Sequence, residues 1–325
     1  MDAFCKETMV LRYTLRRIPS ALLVLLLASI AIFFLLRLAP GDPAATLAGP
    51  DASPETVAAI RAQLGLDRPL PEQYILWLGG ILTGNPGDSY LLHAPIGELV
   101  GNSLVNTVEL AVGALVLAVA GGGLVGYVMG SARSPWLRSA LGAATSFAVA
   151  VPTYVSGVLL ILLFAVSFRV LPSGGIGPGL SDPAIGLQYL LMPAIVLSLP
   201  TGATLARFFS ASMRRTLDED FIQTGVAKGL ARRRLMTGHV VPNAMPPVLT
   251  VLGIQIGQLL GGAIIVETIF AWPGIGQLLL QAVIGRDYLL TQSLLMLAVL
   301  VFVVVQITTD LIDAAIDPRI RLERV

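Results

Sequence analysis

The 325-residue sequence predicts an all-α, polytopic membrane fold with six transmembrane helices and both termini in the cytoplasm. Three observations carry this expectation. Hydrophobic residues make up 55% of the chain and charged residues only 13%, with a mean hydropathy of +0.81; a soluble domain carries roughly 25% charged residues. The apolar residues come in runs of bilayer length rather than in amphipathic stripes. Lysine and arginine fall mostly on one side of those runs.

The first run is Ile18–Leu36, flanked by Arg12, Arg16 and Arg17. It is longer than a secretory-signal core, and Arg37-Leu38-Ala39-Pro40 is a poor cleavage site, so it reads as a retained span. The first eight residues carry no structural signal and are expected to be disordered. The remaining runs are Leu99–Met129, Leu137–Val170, Tyr189–Phe209, Pro247–Ile269 and Leu289–Ile312. The third is long enough to be tilted, or broken at Pro152. With the N-terminus inside, only Arg37, Arg61, Arg68, Arg169 and Arg286 fall outside, and the other 16 of the 21 basic residues lie inside. The chain then divides into a cytoplasmic N-terminus (1–17), a first span (18–37), an extracytoplasmic cap loop (38–98) and a five-helix transport core (99–325), which contains a cytoplasmic loop at 210–243. In the cap, Ser53 and Pro54 mark the N-cap and first position of a helix over Ser53–Leu64. Acidic residues outnumber basic ones there.

Several function classes are excluded. A net charge of +1 offers no field for nucleic acid. One cysteine and two histidines, His93 and His239, make neither a disulfide nor a metal site. Neither lysine follows a Gly-x-x-x-x-Gly, so a P-loop is absent. No Gly-x-Ser-x-Gly is present, and no pair of carboxylates faces the bilayer interior, so no catalytic residue is assigned.

Glycines at 122, 126 and 130, and at 253, 257 and 261, fall at intervals of four on one face of the second and fifth spans, where backbones can approach closely. Polar residues run beside them: Asn102, Asn106 and Glu109 on the second span, Gln255 and Gln258 on the fifth, and Glu267 at its end. Lipid does not tolerate such groups, so they either bond between helices or line a translocation path.

The segment from Glu219 to Ile284 is the most specific. It runs Glu-Asp-Phe-Ile-Gln-Thr-Gly-Val-Ala-Lys-Gly-Leu over 219–230, then Arg232–Arg234, His239, Pro242 and Asn243, and ends the fifth span in Glu-Thr-Ile-Phe-Ala-Trp-Pro-Gly-Ile-Gly over 267–276. Here the chain resembles the permease subunits of binding-protein-dependent ABC importers, in the dipeptide/oligopeptide (peptide/nickel) group. Leu38–Pro43, Leu64–Pro69 and Gln73-Tyr74 are similar to the external region of that group's first permease. The resemblance implies an ATPase-coupling loop carrying Asp220, Gln223, Thr224, Gly225, Ala227, Lys228, Gly229, Arg232, His239, Pro242 and Asn243. Gly229 matches the central glycine, and Gln223, Thr224 and Gly225 stand where the general pattern has Glu-Ala-Ala.

The resemblance further implies a permease in a prokaryotic inner membrane, importing dipeptides or short oligopeptides. Its expected partners are a homologous permease, two ATP-binding subunits, an extracytoplasmic binding protein and membrane lipid. ATP and magnesium would be bound by the partner ATPases, leaving no cofactor and no enzymatic activity to this chain. Nickel complexes and haem are alternative cargoes. A secondary transporter would need midplane carboxylates and an internal repeat, and a passive channel would not need the coupling loop. The topology is directly testable. A cysteine replacing Asp51 should react with an impermeant maleimide in intact cells; labelling only after permeabilisation would invert the assignment.

Overall fold

In the computed structural model the described residues are 2–38 and 41–316, with side chains at 17–38, 41–179 and 181–309. Thirteen α-helices are formed among them: α1 (Asp2–Leu38), α2 (Pro43–Ala48), α3 (Pro54–Gln63), α4 (Leu70–Leu82), α5 (Ile96–Ser131), α6 (Pro135–Ala150), α7 (Thr153–Leu160), α8 (Pro183–Leu217), α9 (Asp220–Ala227), α10 (Arg232–Leu235), α11 (Val241–Ile269), α12 (Ile275–Ile284) and α13 (Tyr288–Ile316). Among the described residues there is no strand, only a bridge between Asp88 and Pro95.

Among the described residues, five stretches are long and apolar enough to cross a membrane: Arg17–Leu38, Ile96–Ser131, Pro183–Leu217, Arg232–Ile269 and Tyr288–Thr309. A sixth exists only if Pro135–Ala150 and Thr153–Ser167 count as one span, and these two pieces bend by 100° at their junction. The expected break at Pro152 is therefore real. Val151 is extended (φ −72°, ψ 124°), as a residue before proline prefers, and Pro152 cannot donate to the helix before it. Two expectations are corrected. Helix α1 begins at Asp2 rather than after a disordered octapeptide. The segment before α5 also holds three helices rather than one: α3 is capped by Ser53 as foreseen, its Oγ accepting from Thr56 N at 3.3 Å, but α2 and α4 accompany it.

The chain forms two compact units. The first comprises Met1–Asn106 and Pro273–Val304. Its aromatic core joins α1 to α4: Phe33 is fully buried, with its ring centroid 5.2 Å from Tyr74 and 6.0 Å from Trp77. The Ser29 and Tyr74 hydroxyls hydrogen-bond at 2.8 Å. Arg37 lies over the Phe33 ring and donates to the Phe33 carbonyl and to Gln73 Oε1. A second apolar cluster, Ile96, Leu278, Ala282, Leu290 and Leu294, joins the start of α5 to α12 and α13. Asp287, 1% exposed, ties this unit together. Its carboxylate accepts from Ser89 Oγ (2.7 Å), Leu91 N (3.1 Å) and, as the cap of α13, Leu290 N (3.0 Å).

The second unit, Thr107–Trp272 and Val305–Val325, is built on α8. Well over half of the apolar window of α8 (61%) is buried. A Cβ on Gly122 of α5 would overlap the Gly202 carbonyl of α8; one on Gly126 would stand 2.9 Å from the Ala206 oxygen, and one on Gly130 3.0 Å from Met213 Sδ. The expected close packing of this stripe is thus realised. On α11, Gly253 meets Thr309, whereas a Cβ on Gly261 would have no described atom within 4 Å beyond its chain neighbours and its own helix backbone. Leu110, Met192, Leu197, Leu259, Phe270 and Trp272 fill the core between α5, α8 and α11.

Replacing Asp287 by alanine leaves three donors, two of them buried, without their acceptor. Hydrogen bonds to a charged group contribute about 1.5–3 kcal/mol each, so Asp287→Ala should destabilise the first unit by on the order of 3 kcal/mol. Limited proteolysis of the purified chain should then cut within 85–95 faster than in wild type. Unchanged cleavage and an unchanged melting temperature would show that the carboxylate is dispensable.

Candidate coupling segment and polar helix faces

The segment 210–243 forms short surface helices, as its glycine-interrupted pattern suggested. Helix α8 ends at Leu217, and after the Asp218-Glu219 turn α9 begins at Asp220. Ile222, 1% exposed, and Gly225 face inward. Ile222 packs with Leu205, Phe209, Met213, Leu235, Met236 and Val240. A Cβ on Gly225 would come within 2.9 Å of Leu235 Cδ1, so the glycine seats α9 closely on α10. The opposite face presents Asp220, Phe221, Gln223, Thr224, Ala227 and Lys228 to the surface.

The end of α9 is fixed by its backbone. Leu230 N donates to the Gly225 carbonyl (3.2 Å) and Gly229 N to that of Val226 (3.0 Å). This is the Schellman arrangement, which needs a left-handed residue at Gly229, and its φ is +74°. Apart from its two chain neighbours, no described atom lies within 4 Å of a Cβ built there. The glycine is required by conformation and leaves the surface around it open.

The other candidates divide. Arg232 donates to the Ser131 carbonyl at the end of α5, while Arg233 and Arg234 are exposed. His239 lies in a π-helical turn, Met236–Val240, and its carbonyl accepts from Asn243 Nδ2 at 2.7 Å. Pro242 stands in the first turn of α11, where its missing N–H costs nothing. Ser212 was not anticipated; its Oγ donates to the Ala244 carbonyl (2.8 Å) and ties α8 to the start of α11. A lone serine in a polar stretch carries no sequence signal for such a bond.

The polar faces also divide. Glu267 is fully buried and accepts from Thr107 Oγ1 at 2.6 Å. Thr107 was missed because it lies off the Asn102/Asn106/Glu109 register. Asn106 donates to the Pro273 carbonyl (2.9 Å). Gln255 is 5% exposed. Asn102 and Gln258 are exposed and Glu109 is half-buried. The six residues do not form one cluster: Glu267 and Asn106 bond within the chain, and Asn102, Glu109 and Gln258 remain accessible.

Comparison with known proteins places this geometry. Residues 122–322 match the family of binding-protein-dependent transport system inner membrane components, and residues 10–110 match the N-terminal membrane component of the same systems. A probable peptide ABC transporter permease of Sinorhizobium fredii is 38% identical over 95% of this chain and 99% of that protein. A glutathione transport system permease of Salmonella choleraesuis is 33% identical over 96% and 99%. Among solved structures, the inward-facing MetNI methionine ABC transporter aligns with a TM-score of 0.56 at 18% identity, covering 67% of this chain and 96% of that one; it shares the fold. The chain belongs to the binding-protein-dependent transport system inner membrane component family and is a multi-pass permease subunit of an ABC importer of the peptide permease group.

Proposed function

We propose that this permease imports dipeptides or short oligopeptides, paired with a second, homologous permease and driven by two separate ATP-binding subunits. An extracytoplasmic binding protein delivers the cargo. The relatives support the peptide assignment: those of 38% and 33% identity are named as peptide and glutathione permeases.

The observation that carries the mechanism is α9. It is a short helix with one face packed on α8 and α10, the other exposed, and its end locked by Gly229. A helix held this way moves with the bundle as a rigid piece, which is what a subunit without its own nucleotide site needs in order to receive force. Asp220, Gln223, Thr224, Ala227 and Lys228 would contact the ATPase, and the exposed Phe221 and Val226 would enter an apolar groove on it. ATP and magnesium would bind only in the partner subunits. ATP binding and hydrolysis would then shift the population of outward- and inward-facing states.

The second permease would cover α11. Ile254, Gln258, Gly261 and Ile265 repeat at helical spacing and are all exposed, so this face combines apolar contact, a polar group and a glycine open to close approach. Gln258 and Glu109 would be the polar groups of this unit that line a path at that junction. Glu109→Ala and Gln258→Ala should therefore each lower peptide uptake severalfold in reconstituted vesicles at normal assembly. Wild-type rates in both would remove these groups from the path.

Coupling is tested at Gly229. A β-branched residue is a poor fit to a left-handed φ, at a cost on the order of 1–3 kcal/mol, whereas asparagine tolerates it. Gly229→Val should leave the protein inserted and paired with its sister subunit but abolish substrate-stimulated ATP hydrolysis and uptake. Gly229→Asn should keep much of both, because the chain itself leaves room there. Normal transport by Gly229→Val, or solute movement by the purified chain with no ATPase present, would overturn the importer mechanism in favour of a secondary transporter.

A further inference from the structure

Helix α4 breaks a rule that α3, just before it, obeys. In α3 the apolar Val57 and Ile60 are half-buried, while Glu55, Thr56, Arg61 and Gln63 are exposed. In α4 large apolar side chains are bare: Leu82 is 79% exposed and Ile75 67%. Ile75, Gly79 and Leu82 recur at helical spacing and share one face. That face is open, since a Cβ on Gly79 would have no described atom within 4 Å beyond its chain neighbours and its own helix backbone. Tyr74, Trp77 and Ile81 form the opposite face, with Trp77 buried and the other two half-buried. No charged residue occurs between Glu72 and Asp88. A helix that is apolar on both faces is one that is covered on both, and the described chain covers only one of them.

The covered face fixes the level at which the bare one lies. Helix α4 packs against the side of α1, which is a membrane span. Arg37 stands at the end of the apolar run of α1, at headgroup level, and donates to Gln73 Oε1 at 2.8 Å. One turn further in, the Phe33 ring meets Tyr74 and Trp77. Another turn in, the Ser29 and Tyr74 hydroxyls bond to each other, so neither is left unpaired in hydrocarbon. Ser29 stands about 10 Å along α1 from Leu36. Helix α4 therefore lies beside the last two turns of this run and not beyond its end. Ile30 and Phe34, the next residues on α1 at these levels, are themselves exposed. Tyrosine and tryptophan are enriched at this depth of a bilayer.

We propose that α4 is embedded in the membrane interface, with the face of Ile75, Gly79 and Leu82 resting in the acyl chains of the leaflet at the Leu38 end of α1. Its first turn, where Arg68 pairs with Glu72 at 3.1 Å, stays among the headgroups, and the uncharged turns sink beside Phe33. The partner is phospholipid, met through its hydrocarbon and not through its charge. The segment between α1 and α5 is then only partly an aqueous cap, because α4 ties it to the bilayer. This inference rests on α1 crossing the membrane. It goes beyond the importer reading and is independent of the cargo, of the ATPases and of which side the termini occupy.

The test uses the full chain in phosphatidylcholine nanodiscs. Ile75→Cys, Leu82→Cys and, as a reference in water, Asp51→Cys are each made in a Cys5→Ser background and labelled with bimane. Part of the lipid carries a nitroxide high in its acyl chain, which quenches bimane only at close range. The labels at 75 and 82 should lose at least about half of their emission, with little loss at 51. The same pattern is expected in the transporter assembled with its co-purified partner subunits. Should one variant fail to fold, the other reads the same face independently, about two turns away. The proposal is overturned if neither label is quenched more than the one at 51, or if only one of two folded variants is quenched. It is also overturned if quenching seen in the chain alone disappears in the assembled transporter, since a protein partner would then cover this face.

Discussion

The absence of side chains between α5 and α8 sets the geometry of the second unit. Where Gly122 faces Gly202, two backbones touch, and Gly126 and Gly130 continue the contact toward Ala206 and Met213. In lipid there is no hydrophobic driving force between helices, so close van der Waals packing must hold them. Once α5 is fixed against α8, the core residues Leu110, Met192 and Leu197 share one interior with Leu259 and Phe270 of α11. The same central helix then runs on to Leu217, and Phe209 and Met213 near its end form the floor on which Ile222 of α9 sits. A single helix thus connects the membrane core to the surface helix, and the coupling proposed for α9 would rely on that continuity.

The helices of the bilayer were readable because each is a long apolar run, and a run of that length has few other ways to be buried. The helix at Ser53 was readable because a cap and a proline announce it. Helix α4 was not, since Pro71, Gly79 and Gly80 interrupt its Leu70–Leu82 pattern and suggest a turn. Nor was α12, a ten-residue apolar stretch between Trp272-Pro273-Gly274 and Arg286 that is too short to be taken for a span. The break at Pro152 was visible in one residue, but the 100° bend across it depends on how the two pieces pack.

The candidate sites show the same limit. Gly229 was legible as a special glycine, and the structure supplies the reason: a left-handed turn closing α9, rather than crowding within the chain. Spacing placed Asn106 and Glu267 on polar faces but could not reveal that the Pro273 carbonyl and Thr107 already engage them.

The bond from Ser89 to Asp287 spans 198 residues of sequence. A ribosome delivering this chain into a membrane releases the loop around Ser89 long before the residue that secures it has been made. Everything from Thr107 to Trp272 is synthesised in between. The first unit therefore completes itself only after the second unit's main segment has been made, when α12 and α13 return to it. A truncated product would expose an unfinished surface with Ser89 and Leu91 unanchored.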